Sequence, residues 1–102
     1  MKRILDNKER SDYDIQIDSF TQDIDLSSIS KMPIITIYKN TTIDYPGKFV
    51  ARLFDIRPGE VRSTRYIMLS EHIHEIHEGI PKYMSKVKPQ ITDDPVVLET
   101  WL

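Results

Sequence analysis

Residues 48–69 read KFVARLFDIRPGEVRSTRYIML, and this stretch decides the fold class. Residues 48–56 are rich in β-branched and aromatic side chains, the composition of a strand. The two-residue period puts Phe49, Ala51 and Leu53 on one face and Val50, Arg52, Phe54 and Ile56 on the other. Apolar residues on both faces predict a central strand covered on each side. Arg57-Pro58-Gly59-Glu60 follows as a turn: proline presets the negative φ of the second position, and glycine accepts the positive φ of the third. The chain then reverses into a second strand over residues 61–69.

Outward from this hairpin, residues 34–39 (IITIYK) predict a strand and residues 40–47 (NTTIDYPG) a loop. Residues 70–79 predict a short helix, with Ser70 as N-cap, Glu71 at the positive end of the dipole, and Gly79-Ile80-Pro81 as the stop. Leu69, Ile73, Ile76 and Ile80 share one face at helical spacing. Residues 82–92 read as irregular and basic, and Asp93-Asp94-Pro95 as a turn. Residues 96–102 predict a final strand inserted in the sheet, with Trp101 at or near the core. The body is therefore β-β-β-α-β. The fold class is α+β: an antiparallel sheet with one short helix packed on one face.

The N-terminal third differs in charge. Residues 1–30 carry four Lys/Arg against seven Asp/Glu, and residues 31–102 carry ten against nine. Tyr13, Ile15 and Ile17 alternate with polar residues, a half-buried strand pattern. Asp12, Asp14, Asp18, Asp23 and Asp25 stand there with no positive charge among residues 12–26. The plain reading is an edge strand whose charges block edge-to-edge aggregation. The sharper one is an acidic surface that meets a basic partner by imitating a phosphate backbone. A third is an arm that folds on binding. Residues 27–33 read as a linker, which divides the chain into an acidic extension over 1–30 and a compact domain over 31–102.

The 102 residues make one domain's worth of chain, with a net charge of −2 and no cysteine. The last point removes disulfides, thiolate metal sites and cysteine nucleophiles, and it fits a reducing cytoplasm. The near balance of charge gives the whole chain no general electrostatic reason to bind nucleic acid. Lys2 and Arg3 are not followed by an apolar run of secretory length, and no stretch approaches the roughly 20 apolar residues of a membrane helix.

Three clusters are candidates for chemistry. His72, His74 and His77 lie among Glu71, Glu75 and Glu78. On a helix, at about 100° per residue, His72 and His74 point about 200° apart, so the three rings do not converge on one ion. The HExxH spacing of metalloproteases is missing, and no metal site or cofactor is expected. Arg52, Arg57, Arg62 and Arg65 cluster on the hairpin with Lys48. They suit phosphate or carboxylate binding but equally suit intramolecular pairing, including pairing with the N-terminal aspartates. Arg52 and Tyr66 share a surface if the register aligns them. Tyr45, in a loop beside Pro46, is either a binding contact or packs back on its own sheet. Neither a glycine-rich phosphate loop nor a nucleophile elbow is present.

The segments IYKN, DYPGKFVARLFD, EHIHEIHEGIP and DDPVVLETWL resemble a set of small, uncharacterised proteins of Gram-positive bacteria and their mobile elements. The likeness spans residues 34–102 and implies no established activity, and it leaves the acidic segment as an addition to a common body. The strand order is also similar to that of HicB-type antitoxins in topology alone, because their Gly/Pro-rich motif is not matched here. Together these features lead to a non-enzymatic protein-binding module. Its most concrete form is a phage or mobile-element inhibitor such as an anti-CRISPR protein, which meets a nucleic-acid-binding nuclease. Asp12, Asp14, Asp18, Asp23, Asp25, Tyr45, Arg52, Arg62 and Arg65 are the candidate contacts. The alternative is a nucleic-acid-binding or antitoxin-like module that uses the basic hairpin.

Overall fold

The computed structural model describes residues 14–87 and 95–102. Its elements are β1 (Ile15–Gln16), α1 (Leu26–Ile29), β2 (Pro33–Tyr38), β3 (Phe49–Arg57), β4 (Glu60–Ser70), α2 (Ile73–Glu78), β5 (Lys86–Val87) and β6 (Val97–Trp101). The six strands form one sheet in the order β1-β4-β3-β2-β6-β5.

The hairpin forms as its turn chemistry dictates. Arg57 pairs with Glu60 across a two-residue loop, and Gly59 sits at φ +79°, the value a type II turn requires at its third position. β2 adds to the free side of β3, with Ile35 opposite Leu53 and Ile37 opposite Ala51. β6 returns to lie inside the sheet between β2 and β5, where its apolar side chains have neighbours on both edges.

Four features depart from the sequence expectation. Residues 86–87, in a stretch that reads as irregular, form the edge strand β5. The sheet is mixed, because β1 runs parallel to β4, with Ile15 opposite Tyr66 and Gln16 opposite Ile67. There are two short helices among the described residues rather than one: residues 26–29, overlapping the start of the linker predicted over 27–33, make one turn. Asp25 caps that turn by accepting from the Ser27 N–H at 3.1 Å. And α2 begins at Ile73, not just after Ser70. Ser70 is still in β4, but its hydroxyl accepts the His72 N–H at 3.0 Å and donates to Glu75. It satisfies the helix start from outside the helix.

The core lies between the sheet and α2. Ile35, Ile37, Ala51, Leu53 and Met68 meet Ile76, Ile80 and Met84 there. Residues from the acidic segment complete it. Phe20 is 1% exposed and Leu26 is buried in the same cluster. The Ile17 N–H donates to the Ile67 carbonyl at 2.8 Å, and the Phe20 N–H to the Gly79 carbonyl at 2.9 Å. The segment thus runs from the β4 edge across to the end of α2. The opposite face of β3, with Val50, Arg52 and Phe54, has no helix over it among the described residues; it is partly roofed by the loop after β2.

Candidate functional site

Two surface depressions organise the candidate residues, one on each side of the sheet. The first is on the face away from α2. Arg52 projects from the middle of β3, where the β3–β4 register shifts. Between the pairs Arg52–Ile67 and Phe54–Ser63, three β4 residues oppose Leu53, so the ladder bulges at Thr64, Arg65 and Tyr66. The Thr64 hydroxyl donates to the Leu53 carbonyl at 2.7 Å, and the Thr64 carbonyl accepts from Arg52 Nη1 at 2.9 Å.

Arg52 also takes Asp14 in a fork: Nη1 to Oδ1 at 2.9 Å and Nη2 to Oδ2 at 2.8 Å. The Tyr45 hydroxyl donates to Asp14 Oδ2 at 2.8 Å. Tyr45 reaches that carboxylate because Pro46-Gly47 turns the loop back, with Gly47 at φ +83° and the Lys48 N–H on the Tyr45 carbonyl at 3.2 Å. The pair is nearly dry, with the Asp14 side chain 4% and the Arg52 side chain 18% exposed. Burial opposes the charge on Arg52, but the hydrogen bond and charge of Asp14 outweigh it and hold the guanidinium above its usual pKa. Three candidate residues from distant parts of the chain therefore form one unit. Beside it lies a groove of about 700 Å³, walled by Tyr38, Tyr45, Val50, Phe54 and Val96.

The second depression lies between the N-terminal loop and α2. It measures about 450 Å³, and its lining includes Asp18, Glu75 and Glu78 but, among the described residues, no lysine or arginine. Asp23 and Asp25 are exposed in the same segment. Both also hold local structure: Asp23 Oδ2 accepts the N–H groups of Asp18 at 2.8 Å and Ser19 at 3.1 Å, and Asp25 caps α1. Glu75 and Glu78 are three residues apart and so share one face of α2. Their meeting with Asp18 is a tertiary event with no local signal.

The remaining candidates are not brought to either place. Arg62 lies opposite Asp55 in register, on the other face of the sheet from Arg52, and pairs with Glu60 at 3.0 Å in the open. Arg65 is exposed on the bulge. Asp12 lies outside the described residues. Arg52 is opposite Ile67, not Tyr66, and Tyr66 packs against the core. No shared Arg52–Tyr66 surface results.

The histidines divide in a way the helical phase does not predict. His72 is the extended N-cap of α2, so its ring stands 5.7 Å from that of His74 instead of across the helix. His77 turns to β6, with Nε2 2.7 Å from Glu99 Oε1. The Trp101 indole N–H donates to the same oxygen at 2.9 Å. Burial pushes the Glu99 carboxyl up, but hydrogen bonds from Trp101 and His77 and the charges of His77 and Lys86 bring it below the usual range. Among the described residues, no three His, Asp or Glu side chains converge as a metal site would need.

One polar cluster had no counterpart in the sequence reading. The Ser30 hydroxyl donates to buried Asp55, and Arg57 Nε donates to its other oxygen at 2.7 Å. These two bonds hold the Asp55 carboxyl below its usual pKa and fasten the end of α1 to β3.

The geometry defines a class: a small α+β domain with a six-stranded mixed sheet, one helix-covered face and one grooved face. No helix among the described residues is long and apolar enough to cross a membrane. No family model, curated protein or solved structure matches the chain.

Proposed function

We propose that the protein is a non-enzymatic binding module that meets a basic protein surface through the acidic cleft between its N-terminal loop and α2. One observation carries the reading: Asp18, Glu75 and Glu78 line a single depression that holds no basic residue among the described residues. Exposed Asp23 and Asp25 extend the same sign along the segment. Such a surface attracts a positively charged partner and repels nucleic acid. In its most concrete form the partner is the nucleic-acid channel of a CRISPR nuclease, and the protein is an inhibitor carried by a phage or mobile element. The encounter is then set in the cytoplasm.

The test is capture from a lysate of the native host on the tagged full chain, with and without nuclease. It is run beside the triple variant Asp18→Asn, Glu75→Gln, Glu78→Gln. The reading expects one stoichiometric protein that survives nuclease and is lost with the variant. Material that disappears on nuclease treatment, and is retained by the variant, favours the nucleic-acid-binding or antitoxin-like alternative.

A further inference from the structure

The grooved face carries a second site, independent of the acidic cleft. Its volume of about 700 Å³ falls in the range of small-molecule sites, which are mostly apolar with a few placed polar groups. Three aromatic rings, Tyr38, Tyr45 and Phe54, line it along with Val50 and Val96. Rings at this density favour a flat ligand that stacks.

The polar groups narrow the choice. Arg52 uses Nη1 for Asp14 and Thr64 and one Nη2 hydrogen for Asp14; Nε–H and the second Nη2–H enter none of these bonds. Those two hydrogens are the parallel donors with which arginine reads two adjacent acceptors. Because Asp14 already balances its charge, Arg52 offers donors without offering net positive charge. Among the described residues the groove holds Asp14, Asp44 and Arg52 and no lysine, a lining that does not invite an anion. Thr42 lines the same groove, and its hydroxyl oxygen is buried without a hydrogen-bond partner. A buried hydroxyl left in that state costs free energy, which a ligand recovers once a small shift of the loop after β2 exposes the oxygen to the groove.

We propose that this groove binds a neutral, planar heterocycle with two adjacent hydrogen-bond acceptors, the pattern guanine presents through O6 and N7. Arg52 reads the acceptor pair, the aromatic rings stack on the flat faces, and Thr42 bonds to the ring edge. Asp14 and Tyr45 act as positioning residues that hold the guanidinium. The ligand is the base or nucleoside and not its phosphate, because the one cation among the described lining residues, Arg52, is already paired with Asp14.

The experiment is a titration of the isotope-labelled full chain with guanosine, adenosine, cytidine and guanosine monophosphate, followed by amide chemical shifts. Guanosine is expected to bind with a Kd of roughly 0.1–1 mM. Shifts should be confined to the groove, with Trp101 and α2 on the far face unmoved. Adenosine, with a donor at the position of O6, should bind roughly tenfold more weakly, and the monophosphate no more tightly than guanosine. Phe54→Leu and Thr42→Val should each weaken guanosine several-fold. Thr42→Val should also leave the free protein as stable or more so, because it removes an unpartnered hydroxyl. Equal shifts for all the nucleosides, tighter binding of the monophosphate, unchanged affinity in either variant, or no shifts at all would each overturn the proposal.

Discussion

Replacing Asp14 by alanine is the sharpest probe of how the acidic segment is held. The change removes both arms of the Arg52 fork and the acceptor of the Tyr45 hydroxyl. Arg52 is left with the Thr64 carbonyl alone. Breaking a buried ion pair by deleting one partner costs about 3–5 kcal/mol. Arg52 keeps about a fifth of its side chain in water, and Asp14 adjoins a two-residue edge strand that can give way. Both reduce the figure to about 2–3 kcal/mol. For a domain of this size that is a fall in Tm of roughly 10–20 °C. Adding Arg52→Met should recover about half of the loss, since the second change removes the stranded charge. Tyr45→Phe leaves the fork intact and should cost about 1 kcal/mol. Urea denaturation of the four proteins at neutral pH measures all of this. If Asp14→Ala falls within about 0.5 kcal/mol of the parent chain, the segment is not anchored by this pair.

Other consequences are more quickly stated. Phe20→Ala should cost about 3–5 kcal/mol in urea denaturation, because the ring is 1% exposed in the shared core; a cost near zero would separate the N-terminal segment from the fold. Gly59→Ala should cost about 1–2 kcal/mol by the same assay, and Gly59→Asn less, since the φ of +79° and not steric crowding is what penalises a side chain there. The carboxyls of Asp55 and Glu99 are both held below their usual pKa values. A depressed carboxyl contributes stability in full above its unfolded value and loses it as the pH falls through the folded value. The urea midpoint should thus hold from neutrality to about pH 5 and drop below about pH 4, and the double variant Asp55→Asn, Glu99→Gln should flatten that drop.

The sheet's centre was readable because its signals are local. Pro58-Gly59 demands one turn type, and the two-residue period of 49–56 separates the residues that reach the core from those that line the groove. The end strand announced its place by its apolar content. What was not readable depends on distance in sequence. β1 shows only a two-residue pairing, and its parallel direction follows from Asp14 meeting Arg52 and Phe20 meeting the core, neither of which leaves a periodic mark. The first residue of the predicted helix, Ser70, is strand because it pairs with Phe49, and it caps the helix from the sheet. Residues 26–29, at the start of the predicted linker, form a helical turn because Asp25 offers a cap and Leu26 has core to fill.

The same division holds for the site. Tyr45, Arg52 and an aspartate were each visible as residue types suited to recognition, but only the fold decides that they recognise one another first. The acid of the cleft comes from the loop (Asp18) and from α2 (Glu75 and Glu78), and the Phe20–Gly79 hydrogen bond and the burial of Phe20 bring those parts together.

The central claim is that the acidic cleft binds a basic protein partner. The most direct measurement is the affinity of the captured partner for the full chain and for the Asp18→Asn, Glu75→Gln, Glu78→Gln variant, at low and at high salt. The account predicts a nuclease-resistant complex that the variant weakens at least tenfold and that added salt loosens, because screening acts on exposed charges. A complex that the variant and the salt leave unchanged would contradict it.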